Sequence, residues 1–538
     1  MELLTVRGYS YTYPKADRPA LCNLSFSVNE GEFVLLSGTS GSGKSTLLAN
    51  LKPELCASGT YSGTIKYQGE PINALNRMQS SCDIGFVMQD IDSQLVTDTV
   101  RAELCFGLES LGFPPQVIRR RVAEMASFFG LGRLLDRNVN TLSGGQKQMV
   151  NLASVLALSP RLILLDEPTS QLDPVATRDF LSMLIRLNRE LGLTVMIAEH
   201  NIEALLAHCD HALVLENGSL SFSGSGRETA HWMAGRGAVF SRMLPAAARI
   251  FADHRPIPLT VSEGRTLFEE KMQGKPPAPL PPGSGGDSGT VAVHAKRVYF
   301  GHNGAQELIF KDLDFTAHQG EITALMGDNG SGKTTLLKLL CAILKPNRGK
   351  VTLHGKQGKA KAVYLPQNTK LLFVHDTVFD DLMDTARANG AQNAQYEVEQ
   401  IAKALYISSI LTRHPYDVSE GERQRAALAK VLLARPGLVL LDEPTKALDA
   451  HAKGQLAVLL KQLAGQEVTI IMASHDVEFC AEHCDRCALL FDGGVACTAP
   501  PKEFFGGNTF YTTPASLIAG DYRRHAVTCK EVERLWEE

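Results

Sequence analysis

The chain has 538 residues, 44% hydrophobic and 21% charged, a composition of packed globular domains rather than of a disordered chain. Its 54 Lys and Arg against 58 Asp and Glu leave a formal charge of −4, which argues against a nucleic-acid binder held mainly by charge. No apolar run approaches the roughly 18–20 residues that span a bilayer, and the start Met1-Glu2-Leu3-Leu4-Thr5 lacks a signal peptide's basic and apolar regions.

In chain order, the first strong signal is Gly38 to Ser45 (GTSGSGKS), which matches the P-loop pattern G-x-x-x-x-G-K-[ST]. A strand candidate, Phe33 to Leu36, runs into it, and a helical pattern around Leu47 and Leu48 follows. Glycines let backbone N–H groups converge on phosphate oxygens, and a helix start adds partial positive charge. Gly38, Thr39, Ser40, Gly41, Ser42 and Gly43 are therefore candidates to cradle phosphate, with Thr46 at the end of the loop. Lys44 would reach the β- and γ-phosphates, and Ser45 would ligate Mg²⁺. Gln89 closes a strand-like run (FVMQD) and is a candidate sensor and ligand of Mg²⁺ and water. Ser143, Gly144 and Gly145, followed by a helical pattern, make an N-cap and an exposed helix start, a second anion-binding surface. Leu162 to Leu165 is a buried parallel-strand pattern closed by two carboxylates. Beside a P-loop, Asp166 can support Mg²⁺ and Glu167 can polarise the attacking water as general base. His200 follows Val195 to Ala198 and is a candidate hydrogen-bond partner of the γ-phosphate.

The series then repeats. A second P-loop (Gly327, Asp328, Asn329, Gly330, Ser331, Gly332, Lys333, Thr334, with Thr335 next) lies 289 residues after the first. Gln367 follows Gln89 by 278 residues, Ser419 follows Ser143 by 276, Asp442-Glu443 follows Asp166-Glu167 by 276, and His475 follows His200 by 275. Five motifs in one order, twice, with a slowly shrinking lag, mark a duplicated unit whose second copy has lost a few loop residues. The roles carry over: Lys333 on phosphates, Thr334, Gln367 and Asp442 on Mg²⁺, Glu443 as base and His475 on the γ-phosphate.

Composition divides the chain into 1–225, a connecting segment 226–289, a second domain 290–505 and a tail 506–538 without a readable role. Residues 275–290 (KPPAPLPPGSGGDSGT) read as a flexible linker. Thr260-Val261-Ser262-Glu263 reads as a capping box opening a short helix, and residues 226–274 are expected to pack on the first domain. The eleven scattered cysteines favour reduced thiols in a cytoplasmic protein. Cys480, Cys484 and Cys487 have a spacing that holds iron–sulfur clusters in other folds. His208-Cys209-Asp210 repeats as His483-Cys484-Asp485 without the other two thiols, which favours packing instead.

The LSGGQ signature at Leu142 to Gln146, between a P-loop and an Asp-Glu pair, resembles the ATP-binding cassette family, here as two cassettes over about 1–225 and 290–500. The resemblance implies an α/β fold: two P-loop NTPase domains in tandem, each with a mixed sheet core and a helical subdomain. It implies ATP and Mg²⁺ as cofactors and ATP hydrolysis as the activity. In that family two cassettes close head to tail around two ATP molecules. One site would then join the first P-loop, Gln89, Asp166, Glu167 and His200 with Ser419 and Gly421. The other would join the second P-loop, Gln367, Asp442, Glu443 and His475 with Ser143, Gly144 and Gly145. The family's adenine-stacking aromatic falls at Tyr13 and, 287 residues on, at Phe300, whose ring would stack without a hydroxyl. The second signature departs from the pattern: Glu420 and Glu422 replace Gly and Gln. Extra carboxylates near phosphates predict that the site built on Lys44 is the slower one.

Asp92-Ser93-Gln94-Leu95-Val96, Thr99-Val100, Glu103 and Phe106 to Glu109 resemble the ATPase subunits of energy-coupling-factor transporters, and Pro258 to Arg265 resembles the linker of their fused members. That resemblance implies an importer motor at the cytoplasmic face of the cell membrane, not inserted in it. Its partners would be a transmembrane coupling subunit and a small substrate-binding membrane protein, with a vitamin or transition-metal ion as cargo and no nucleic acid. A fused sugar or peptide importer ATPase is the near alternative. A soluble twin-cassette ribosomal factor is the other, although its long charged helical linker is missing here.

Overall fold

Phe33 to Leu36, Leu162 to Leu165 and Val195 to Ala198 carry no polar side chain and form strands buried on both faces, as parallel strands covered by helices must be. The computed structural model describes residues 1–200, 202–273, 289–302, 308–354, 361–446, 448–509, 511–522 and 525–537. It contains two compact units, Met1–Thr260 and Val261–Glu538. Most of the expected linker 275–290 lies outside the described residues.

In the first unit, a six-stranded sheet runs in the order Ser219–Gly224, His211–Glu216, Phe33–Gly38, Thr194–Ala198, Leu162–Asp166, Ile84–Val87. Only the Ser219–Gly224 strand is antiparallel to its neighbour. Parallel strands end on one edge, so the segments after Gly38, Val87, Asp166 and Ala198 converge there. A second, antiparallel sheet pairs Leu21–Asn29, Glu2–Thr12, Thr60–Tyr67 and Glu70–Pro71. Helices Val100–Ser110, Pro115–Phe128 and Gly144–Leu156 share a separate core that includes Val100, Leu104, Leu108, Val122 and Val150.

The second unit repeats the plan. Its six-stranded sheet has the same order: Gly494–Ala499, Arg486–Phe491, Ile322–Met326, Thr469–Ala473, Leu438–Asp442, Ala362–Leu365. Each copy is thus an α/β P-loop unit with a mixed sheet core and a helical subdomain. Cys480, Cys484 and Cys487 are buried in the second core, and among the described residues no group of three His, Cys, Asp or Glu is placed to hold a metal ion. No helix among the described residues is long and apolar enough to cross a membrane.

Residues 226–274 do not pack together on the first unit. Helices Gly226–Ala234 and Ala246–Ile250 do, with Met233 and Ala248 fully buried beside Phe180 and Leu184. A helix opens at Val261, where the capping pattern predicts one, but it belongs to the second unit and packs against helix Pro514–Ala519. Its Gly264, Phe268 and Met272, spaced four apart, form one narrow buried stripe.

The described residues among 506–538 are likewise folded, not a tail. Helices Pro514–Ala519 and Cys529–Glu537 bury Ile518 and Val532 completely. Thr512 Oγ1 donates to the Phe505 carbonyl at 2.6 Å and Thr513 Oγ1 to that of Val527 at 2.7 Å. Thr528 and Glu531 cap their helix reciprocally, at 3.1 and 3.3 Å, and stand 268 residues after Thr260 and Glu263.

Candidate active sites

The two P-loops have the same backbone. Gly38 and Gly327 have φ of +146° and +139°, and a Cβ there would stand 2.2 Å from the Leu215 carbonyl oxygen and 2.5 Å from that of Leu490, so only glycine fits. Lys44 Nζ donates to the carbonyls of Gly38 and Thr39 at 3.0 and 3.3 Å, and Lys333 Nζ to those of Gly327 and Asp328 at 2.9 and 3.1 Å. Ser42 Oγ and Ser331 Oγ are buried without a hydrogen-bond partner. A buried hydroxyl in that state costs free energy unless a ligand supplies an acceptor, and phosphate oxygens do. Ser40, Gly41 and Gly330 face solvent, and Tyr13 Oη lies 3.0 Å from Thr46 Oγ1.

Behind each loop stands an oxygen pair: Ser45 Oγ donates to Asp166 Oδ1 at 2.9 Å, and Thr334 Oγ1 to Asp442 Oδ2 at 2.8 Å. Burial pushes Asp166 up to about 6, against the Ser45 bond that favours the charged form. Hydroxyl and carboxylate oxygens suit Mg²⁺ rather than a soft metal, so these residues fit the implied cation.

The glutamates next to those aspartates, the candidate bases, are both in the left-handed region, Glu167 at φ +45° and Glu443 at +52°, a strained conformation for a non-glycine residue. Their surroundings differ. Gln89 Nε2 donates to Glu167 Oε2 at 2.9 Å, and His200 Nε2 lies 2.7 Å from Oε1. Burial alone would raise Glu167, but the His200 contact and nearby Lys44 hold it below the usual range. The structure therefore brings Gln89, Glu167 and His200 together. Around Glu443, His475 Nε2 is 3.5 Å from Oε1 and also 3.2 Å from Asn329 Oδ1, while Gln367 is exposed and makes no hydrogen bond to Glu443. Burial pushes Glu443 up to about 7, opposed by Lys333.

One assignment is corrected. Phe300 is only 5% exposed and packs in the core with Phe310, so it has no face to offer a base. Strand register explains why: Tyr11 pairs with Leu21 and Phe300 with Phe310, so Phe300 takes the place of buried Tyr11 at the P-loop's own lag of 289. His302, exposed, stands where Tyr13 stands. The ring pairs repeat too, Tyr11–Tyr13 edge-on at 5.0 Å and Phe300–His302 at 5.2 Å.

Four site neighbours escape motif reading. Glu199, beside His200, is 3% exposed and accepts from Thr169 N at 3.0 Å and Thr169 Oγ1 at 2.7 Å. Tyr364, which replaces Phe86 in the second copy, donates to Asp442 Oδ2 at 2.9 Å. Asp173 and Asp449 cap the next helices through Ala176 N and Ala452 N, both at 2.8 Å, and recur at the 276-residue lag that could have revealed them.

The signature helices start with capping boxes. Ser143 accepts from Gln146 N at 3.3 Å while Ser143 N donates to Gln146 Oε1 at 3.1 Å. In the second copy Glu422 takes the Gln146 place, and the Ser419 hydroxyl donates to it at 2.8 Å. A Cβ on Gly145 would meet Ala176 Cβ at 2.8 Å, whereas Gly144, where Glu420 stands in the other copy, has more room. After Gln89, Gln94 Oε1 accepts from Met88 N at 2.8 Å, and Glu103 Oε2 accepts from Thr97 N at 2.9 Å, fixing the loop between them.

The sequence model of the ABC transporter family matches residues 21–170 and 310–446. A Bacillus thuringiensis subsp. konkukian protein named as an ABC transporter ATP-binding protein is 38% identical over 98% of this chain and 97% of its own. YkoD of Bacillus subtilis, named for HMP/thiamine import, is 31% identical over 96% of this chain and 95% of its own. A solved structure, cbiO1 of Clostridium perfringens, described as part of the ABC transporter complex cbiONQ, is 32% identical over 42% of this chain and 90% of its own, with a TM-score of 0.39.

Proposed function

The chain belongs to the ABC transporter family of ATP-binding proteins, as two ATP-hydrolysing cassettes, and from that premise we propose that it is the motor subunit of an energy-coupling-factor importer. In this reading it docks at the cytoplasmic face of the cell membrane on a transmembrane coupling subunit, with a small membrane protein that binds a vitamin or a transition-metal ion. The observation that carries the reading is the likeness, over nearly the whole chain, to a relative named for HMP/thiamine import. The residues from Asp92 to Glu109 support it, since Gln94 and Glu103 shape the loop directly after Gln89.

The chemistry follows from the side chains. Mg²⁺, when bound, offsets charge on the β- and γ-phosphate oxygens. Lys44 and Lys333 exchange the backbone carbonyls they now donate to for phosphate oxygens, and the loop's backbone N–H groups donate to the triphosphate. Glu167 and Glu443 accept the proton of the attacking water as the bond to the β–γ bridging oxygen breaks. His200 and His475 hold the γ-phosphate oxygens, and Gln89 and Gln367 report its presence to the partner side. Ser143, Gly144 and Gly145, and Ser419 and Gly421, would cap the ATP held by the other cassette. In the second cassette His302 would take the adenine-facing place.

Affinity purification of the chain from detergent-solubilised native membranes tests the reading. Small polytopic membrane proteins should copurify in a detergent-stable complex. Recovery of ribosomes instead would contradict it.

A further inference from the structure

The annex after Gly507 reaches the second P-loop. Tyr511 Oη donates to Asp328 Oδ1, and Asp328 is the only acidic residue of GDNGSGKT. Tyr511 is held from behind: the next residues, Thr512 and Thr513, are buried, and their hydroxyls are bonded to the Phe505 and Val527 carbonyls at 2.6 and 2.7 Å. Burial and the Asp328 charge push Tyr511 up to about 12, so at neutral pH its hydroxyl keeps the proton it donates.

Asp328 is an awkward residue for this loop. Its backbone carbonyl accepts from Lys333 Nζ at 3.1 Å, so the residue is part of the loop that is to receive a triphosphate, with its exposed carboxylate beside it. A like charge close to phosphates opposes their binding, and an exposed carboxylate is free to turn toward them. The first loop has uncharged Thr39 in that place. We propose that Tyr511 is a positioning residue of the second nucleotide site, which fixes the Asp328 carboxylate and so makes ATP affinity there depend on the docked C-terminal annex. The inference rests on the P-loop reading of Gly327 to Thr334 and adds to it a residue outside the cassette motifs.

The test uses the full chain carrying Lys44→Ala, so that calorimetric titration with MgATP reads the second loop. Tyr511→Phe keeps the ring and removes only the donor. It should raise Kd about 3- to 10-fold, as expected for a hydrogen bond to a partly solvated charge. In a Asp328→Asn background the same substitution should change Kd less than about 2-fold, because the charge to be restrained is gone. An unchanged Kd for Tyr511→Phe overturns the inference. So does an equal loss in the Asp328→Asn background, which would mean that Tyr511 acts through general folding. If Lys44→Ala/Lys333→Ala still binds ATP as tightly as Lys44→Ala, the P-loop reading itself falls, and the inference with it.

Discussion

Glu199 and Ser474 occupy the same place in the two copies, next to His200 and His475, and meet Thr169 and Thr445. Glu199 accepts two bonds from Thr169, the shorter at 2.7 Å, whereas Ser474 Oγ lies 3.4 Å from Thr445 Oγ1. Burial pushes Glu199 from 4.5 up to about 7, against the two Thr169 bonds. The folded chain therefore holds a proton there that the unfolded chain releases, and stability is lost as pH rises between those two values. Gln keeps the acceptor and cannot ionise. Glu199→Gln should melt with the wild type at pH 5 and about 2–4 °C above it at pH 8. An equal offset at both values would show that Glu199 does not titrate in this way. Motif spacing reached Lys44, Asp166, Glu167 and His200 because their chemistry demands one residue type at one place. It could not reach Glu199 or Tyr364, whose roles come from partners 30 and 78 residues away.

Among elements, the strands were the most legible. Runs such as Leu162 to Leu165 have no polar face to show, so they read as buried parallel strands wherever they sit. The aromatic at the end of the first strand was less so. A match by local similarity put Phe300 with Tyr13, but pairing at Phe310 fixes it as the partner of Tyr11. Least legible was the allegiance of the helix from Val261 to Met272. A narrow stripe says that one side is covered, not by which neighbour. Phe268 is fully buried in that stripe. Phe268→Ala should cost the second unit about 3 kcal/mol. Amide exchange in the full chain would then rise in peptides from helix Pro514–Ala519 and its surroundings, and remain as in the wild type before Thr260. Faster exchange in the first unit instead would place the helix there.

For the whole molecule, the repeat of motifs was plain in the sequence because lag and order survive divergence. Inequality between the copies was only hinted at, by Glu420 and Glu422. The surroundings of Glu167 and Glu443 also differ in the structure. Glu167 is bonded on both oxygens, at 2.9 and 2.7 Å, and must give up a partner before it can serve water. Glu443 is held only at longer range, 3.4 and 3.5 Å, and burial makes it the stronger base. Ser419, which would cap the ATP on Lys44, spends its hydroxyl on Glu422. These differences point the same way and predict two unequal ATP sites, with the one on Lys333 doing most of the turnover. Steady-state ATP hydrolysis by Glu167→Gln and by Glu443→Gln, each in the full chain with its membrane partners, tests this most directly. Loss of a general base slows its own site by about 10²–10⁴, so Glu443→Gln should remove most of the turnover and Glu167→Gln less than about half of it. A much larger loss from Glu167→Gln than from Glu443→Gln would contradict the account.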